Sequence, residues 1–440
     1  MPRMRFLCVV LAALPLSLRA EQTITNSETV IRLNVQAMPA PKPALRCLLL
    51  PDLREMQPGN PIENYLKCML DQDFSSPAET LNPSALRQAD RAARMDKPDW
   101  QILLKAKTDG ISLLLPDLQK MRMLATSLQQ RFHDEVAQRR FDDALRTAKT
   151  MFALSRHMGE HPTLIGDLVG IAIAFVTIAP LEEMLEQPGC PNLYWALTNL
   201  PIPLVPMEKG TEGERLLIDG ELHDLDEKAP MSEEQLRRVI AHIDELRALD
   251  GKLDKRTRAW LNERKKDEKQ IQAARRRLVE VGFLEKRLER FPADQVLLLD
   301  AKRDYEVTRD EFMKLMNLPT WQAQALGRQI KPPKKDESLF EFLVPALLKV
   351  HQAKGRLEQR IALLRHVEAL RLYAADHDGK LPEKLSDCPV PLPLDPFTGK
   401  PFRYKKDGTT AHVYGTPPQG MEKEPAYNLH YQVTIQQAAK

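Results

Sequence analysis

Through most of this chain the apolar side chains recur at spacings of three and four, and only in the last fifty or so residues does the period fall to two. That switch constrains the fold more than any other feature. A period of about 3.6 turns one stripe of a helix toward a core, whereas a period of two turns one face of a strand there. The pattern predicts a mainly α protein built of helical hairpins and a long charged helical arm, with a small C-terminal α+β domain.

Turn residues divide the helical stretch. From Ala44 to about Met123 the spacing is broken at Pro51, Pro58-Gly59-Asn60-Pro61 and Pro77, which reads as short helices and tight loops. Further on, Arg140-Phe141-Asp-Asp-Ala144-Leu145 runs into Met151-Phe152-Ala-Leu154. That helix is expected to end at Gly159, with Pro162 just beyond. The apolar run Leu168 to Leu181 resembles a membrane span. At about fourteen residues, starting beside Asp167 and containing Pro180, it is shorter than the roughly 20 residues a span needs and reads as a buried core helix. Together these segments make a helical-hairpin body over residues 44–230.

Residues 231–330 are long, charged and poor in Pro and Gly between 232 and 292. Ser232 and Gln235 form a capping box. Leu236, Val239, Ile240, Ile243, Leu246, Leu249 and Leu253 then make one stripe, which stops over Asn262 to Gln270 and resumes at Ile271, Leu278, Val281, Leu284 and Leu288. This predicts a helical arm, hairpin or coiled-coil-like. Acids interleave with or flank Arg264-Lys-Lys and Arg275-Arg-Arg, so these runs read as solvated faces.

A linker at 331–337 (Lys331-Pro-Pro-Lys-Lys) leads into a C-terminal domain over 338–440. There one helix from Phe340 to Ala375, breaking near Pro345, carries a stripe at Ile361, Leu364, Val367, Leu370 and Leu372 and stops at Asp378-Gly379. The stretch Pro389 to Pro396 cannot pair as a central strand, because proline lacks the amide donor. Phe402 to Tyr414 reads as a hairpin turning at Asp407-Gly408, and Tyr427, Leu429, Tyr431, Val433 and Ile435 alternate with polar residues. The expectation is a three-stranded antiparallel sheet packed on one long helix.

The start of the chain predicts export. Arg3 and Arg5 precede an apolar core from Phe6 to Leu18, and the small residue Ala20 sits where a signal peptide 1–20 would be cut, placing the mature protein in the periplasm or outside the cell. Residues 21–43 hold a polar, β-branched run and the patch Pro39-Ala-Pro41-Lys-Pro43, which reads as a tether or an edge strand. The chain has 64 basic and 61 acidic side chains, and the signal contains Arg3, Arg5 and Arg19 with no acid. Cleavage therefore leaves 61 of each, without the basic excess that binding to nucleic acid or an anionic membrane surface draws on. The mature chain is expected to have no transmembrane segment and no nucleic-acid partner. Cys47, Cys68, Cys190 and Cys388 are widely and irregularly spaced, which suits free thiols acting as small core residues, although three pairings would be open to them.

Several segments together carry a resemblance: Pro41-Lys-Pro-Ala-Leu-Arg with Gln57-Pro-Gly-Asn, Gly159-Glu-His-Pro-Thr-Leu-Ile-Gly, Pro191-Asn-Leu-Tyr-Trp-Ala-Leu, Val367-Glu-Ala-Leu-Arg-Leu-Tyr-Ala-Ala, and Pro393-Leu-Asp-Pro-Phe-Thr-Gly-Lys-Pro-Phe-Arg-Tyr. The chain resembles a set of uncharacterised exported proteins of planctomycete bacteria, a likeness that implies export and no activity. Within it, Phe141-Asp-Asp-Ala144-Leu is similar to the second helix of a tetratricopeptide repeat, without the roughly 34-residue period. The helix ending Leu370-Arg-Leu-Tyr-Ala-Ala-Asp, followed by Asp395-Pro, resembles the head of a type II secretion pseudopilin. The apolar helix that would directly precede such a head is lacking.

Of the residues with chemical potential, His157-Met-Gly-Glu160-His161 matches H-x-x-E-H, in which two histidines one helical turn apart hold zinc and the glutamate is a general base. Gly159 within the motif and Pro162 after it suit a helix end instead. Asp376-His-Asp378-Gly379 has glycine at the fourth position where a calcium loop needs it at the sixth, and reads as a helix stop. His223, Asp224 and Asp226 read as a polar loop. No catalytic residue, metal or cofactor is predicted. The expectation is an exported, non-enzymatic helical scaffold or binding protein of the cell envelope with a protein partner. The alternatives are an exported metal-dependent hydrolase using His157, Glu160 and His161, and a pseudopilin-like envelope component.

Overall fold

The computed structural model describes residues 21–24, 27–71, 81–110, 115–248, 256–330, 338–340 and 345–436. The expected signal peptide 1–20, the expected linker 331–337 and the stripe residues Leu249 and Leu253 lie outside the described residues. What is described is mainly helical, with one small mixed sheet of five strands.

The body begins with α1 (Pro61–Asp71), α2 (Pro83–Ala93) and α3 (Leu103–Asp109) and continues through α4 (Pro116–Ala137), α5 (Phe141–Met158) and α6 (Leu164–Glu186) to α7 (Tyr194–Thr198) and α8 (Glu208–Glu221). Turns of only three and five residues join α4 to α5 and α5 to α6, so each helix folds back along its neighbour. The Thr163 hydroxyl caps α6 by accepting from the Gly166 N–H at 3.2 Å. The helix then runs 23 residues, straight through Pro180. It is long and apolar enough to cross a membrane, longer than the fourteen-residue run suggested by the sequence, yet 67% of its most apolar window is buried inside the protein. It packs against α4, α5 and α8 and against the sheet, the surroundings of a core helix. Gly159 ends α5 as expected, for a different reason. Its φ is −68°, not left-handed, and a Cβ there would come 2.4 Å from the Pro206 carbonyl oxygen, so close backbone approach is what demands glycine.

The charged segment is not one long arm. It is cut into α9 (Glu233–Arg247), α10 (Arg256–Lys265), α11 (Glu268–Glu280), α12 (Glu285–Leu288), α13 (Ala293–Met313) and α14 (Thr320–Gly327). The capping box at Ser232 and Gln235 forms in both directions. A new cap interrupts the polar gap, where the Asp267 side chain accepts from the Lys269 N–H, and α11 turns back to pack along α13. Its stripe buries Ile271, Ala274 and Leu278. Val281 and Leu284, assigned to the same stripe from their spacing, are more than half exposed because Gly282, at φ +103°, breaks the helix between them. Arg277 of the basic run pairs with Asp300 on α13.

The last helix, α15 (Pro345–Asp376), spans 32 residues and lies against both the body and the sheet. It stops as expected: Asp378 and Gly379 take φ values of +51° and +76°, and the Gly379 N–H reaches back to the Ala374 carbonyl. The sheet consists of β1 (Glu21–Ile24), β2 (Thr29–Gln36), β3 (Arg403–Asp407), β4 (Thr410–Tyr414) and β5 (Leu429–Gln436), in the order β1-β2-β5-β4-β3. The antiparallel trio β3, β4 and β5 was expected, with its hairpin turning one residue later, at Gly408-Thr409. The sheet is not three-stranded, however. Within residues 21–43, β1 is an edge strand, as one of the two expectations had it, but β2 is not: it sits inside the sheet and pairs in parallel with β5, Thr29 opposite Leu429 through Gln36 opposite Gln436. Ile31, Leu33 and Val35 join Ala411, Val413, Tyr431, Val433 and Ile435 in a buried face covered by α6 and α15. The polar, β-branched run was therefore a half-buried strand, as its alternation permits.

Buried polar groups tie these layers together. Glu182 on α6 accepts two hydrogen bonds from the Arg360 guanidinium on α15, at 2.8 and 2.7 Å, and a third from the Tyr431 hydroxyl on β5. Asp395, in the proline-rich crossing, accepts from the N–H groups of Phe397 and Thr416 and from the Gln359 amide, which pins that loop to α15. Cys47, Cys68 and Cys190 are buried, Cys388 is half-buried, and all four are free thiols.

Candidate functional site

The residues singled out for chemistry do not converge. Helix α5 ends at Met158, leaving His157 on the helix and His161 in the turn beyond. The His157 Nδ1 shares a hydrogen bond with the Tyr65 hydroxyl at 3.1 Å, and the His161 Nδ1 shares one with the Thr163 hydroxyl at 2.8 Å. Burial pushes both imidazoles down to about 3. Glu160 pairs with Lys209 at 2.8 Å. Donors committed this way do not fit a zinc site, and among the described residues no three His, Cys, Asp or Glu side chains form a metal-binding group. Asp376, Asp378 and Gly379 form the stop of α15. His223, Asp224 and Asp226 sit in the loop after α8, where the Asp226 carboxylate accepts from the N–H groups of Lys228 and Ala229.

A convergent group does exist elsewhere. Helix α2 buries Ala85, Ala89, Ala92 and Ala93, and such small side chains let it lie close against α5. Its polar rim and the adjoining face of α5 then line an open cleft of about 500 Å³ with Gln57, Asp90, Arg91, Arg94 and Arg146. Gln57 stands at one side, its N–H bonding to the Arg94 carbonyl at 2.7 Å. Arg94 is braced: its Nη1 donates to the Asp90 carbonyl at 2.7 Å, and its Nε stands 3.7 Å from Glu55. Glu55 is also held by Lys149 at 2.7 Å, while the Asp90 carboxylate accepts from the Thr150 hydroxyl at 2.8 Å.

The two acids at this cleft are thus already engaged, and the arginines are not equally so. The Arg91 guanidinium has no hydrogen-bond or ion-pair partner among the described residues, and that of Arg146 has only Asp143, one turn away on its own helix at 3.5 Å. Each guanidinium offers five N–H donors in a planar fork, which matches carboxylate or phosphate oxygens two at a time. The arrangement can therefore hold a small oxyanion.

No family model, curated protein or solved structure matches the chain. The cleft escaped the sequence reading because Arg91 and Arg94 are brought to Arg146 only by packing of α2 on α5, two helices separated by more than forty residues of chain. The available signal was the alanine stripe of α2, which marks its opposite side as the one facing out.

Proposed function

We propose that this chain is an exported, non-enzymatic binding protein of the cell envelope, a helical scaffold that presents an anion-binding cleft. The observation that carries this reading is the convergence of Arg91, Arg94 and Arg146 on one open cleft whose carboxylates are already engaged. The N-terminal sequence supports the location, and the scaffold role rests on the extended buried core that joins body and sheet. Titration calorimetry with citrate and with inorganic phosphate tests it. Saturable binding of at least one anion is expected. Arg91→Gln and Arg146→Gln, both at exposed positions, should each weaken it about tenfold, equivalent to about 1.4 kcal/mol. Absence of saturable binding, or binding indifferent to both substitutions, would overturn the reading.

A further inference from the structure

The end of α13, the turn after it, helix α14 and the first half of α15 surround a partly open cavity of about 240 Å³, with Pro418 of the β4–β5 connection on one side. Phe312, Leu315, Met316, Ala323, Gly327 and Pro418 make its walls largely apolar. Gln324, Gln352 and Gln419 add neutral amides, and the exposed Arg328 is the one charged side chain of the described lining. None of these residues belongs to the arginine cleft. An apolar cavity of about 150 Å³ is enough to hold benzene. This one therefore has room for a ring that carries a short substituent.

One polar group in these walls is out of keeping with them. His351, on α15, lines the cavity, and neither of its ring nitrogens has a hydrogen-bond partner among the described residues. Burial first, and then the Lys354 charge, push its imidazole down to about 4, against an opposing pull from the Thr320 backbone. At pH 7 the ring is neutral, with a proton on one nitrogen and a bare lone pair on the other. The Thr320 carbonyl does not close a hydrogen bond, but it favours the proton on the nitrogen nearer to it. The other nitrogen is left an acceptor without a donor, and a buried polar group in that state is costly.

A ligand that suits this site brings a hydrogen-bond donor without a charge. An ammonium group finds no carboxylate in the described lining. It meets instead the field of Lys354, whose Nζ is held at the Met316 and Leu318 carbonyls at 3.0 and 3.4 Å. A carboxylate is ionised at pH 7 and has no proton to donate. A phenol keeps its proton to about pH 10, as tyrosine does, and its ring suits the edge of Phe312 and the thioether of Met316. We propose that this cavity binds a small neutral phenol, its hydroxyl donating to His351 and its ring seated among Phe312, Leu315 and Met316.

The test titrates the full chain at pH 7, by calorimetry, with 4-ethylphenol and with ethylbenzene, which has nearly the same shape without the hydroxyl. Saturable binding of the phenol is expected, at least about tenfold tighter than that of the arene. His351→Phe should weaken the phenol about tenfold and so remove the preference. Gly327→Leu tests the place. A Cβ at Gly327 meets only the Leu315 Cδ1, at an ordinary 3.4 Å, so the larger side chain occupies the cavity without strain. Both ligands should then be lost while thermal unfolding is unchanged. Equal affinity for the two ligands, a preference that survives His351→Phe, undiminished binding by Gly327→Leu, tighter binding of 4-ethylbenzoate, or no saturable binding would each overturn the proposal. Citrate should not displace the phenol. Displacement would place the phenol in the arginine cleft and overturn this inference alone.

Discussion

Glu182 and Arg360 meet across 178 residues of chain inside the protein, and each depends on the other. Removing one partner of a buried ion pair leaves an uncompensated charge, typically at a cost of about 3–5 kcal/mol. Glu182→Ala should show a loss of that size in denaturant unfolding, whereas replacing both residues with leucine should cost much less. Asp167, in the first turn of α6, is a different case. It is fully buried, neither carboxylate oxygen has a hydrogen-bond partner, and Gly210 of α8 lies directly against it. Burial first, and then Glu208, Glu214 and Glu160 nearby, hold its carboxyl well above the usual carboxylate range. The unfolded chain releases this proton near pH 4 and the folded chain only at much higher pH. The stability associated with Asp167 is therefore fully present below about pH 4 and is lost as pH rises through the raised folded value. Asp167→Asn should be more stable than the parent at neutral pH, and the gap should close toward pH 4 in matched unfolding curves. Neither residue could be recognised from sequence: an acid beside an apolar run looks the same whether it meets an arginine or nothing.

Among the elements, the most legible were those whose signals are local. The Ser232 capping box, the Asp378-Gly379 stop and the alternation of β5 each need only a few adjacent residues, and each formed. On β5, Val433 is fully buried against the helices, while Thr434 faces the other side with its hydroxyl near that of Thr410. Val433→Asp should therefore unfold the protein or cost roughly 3 kcal/mol or more, and Thr434→Asp much less, as measured by thermal unfolding. Equal damage would contradict the assigned faces. Less legible were elements set by distant partners. The charged segment carried a near-continuous stripe, but a stripe does not say whether its helix projects or folds back, and α11 found its partner in α13. The arginine cleft was hidden for the same reason, because Arg91 on α2 and Arg94 at its C-terminal cap meet Arg146 of α5 only through tertiary packing.

On the scale of the whole molecule, the sheet is assembled from segments at opposite ends of the sequence, with helices α6 and α15 clasping one face of it. The parallel pairing of β2 with β5 joins residues 400 positions apart, Thr29 to Leu429 among them. A ribosome working at about 5–20 residues per second would make β5 roughly 20–80 s after β2. For that interval β2 has only the short β1 beside it, and Ile31, Leu33 and Val35 lack the β5 neighbours that complete the face covered by α6. The sheet is thus a lock whose key is cut last. Until then the nascent polypeptide stays loose enough to be threaded or captured, and its first β-branched run needs shelter from other chains.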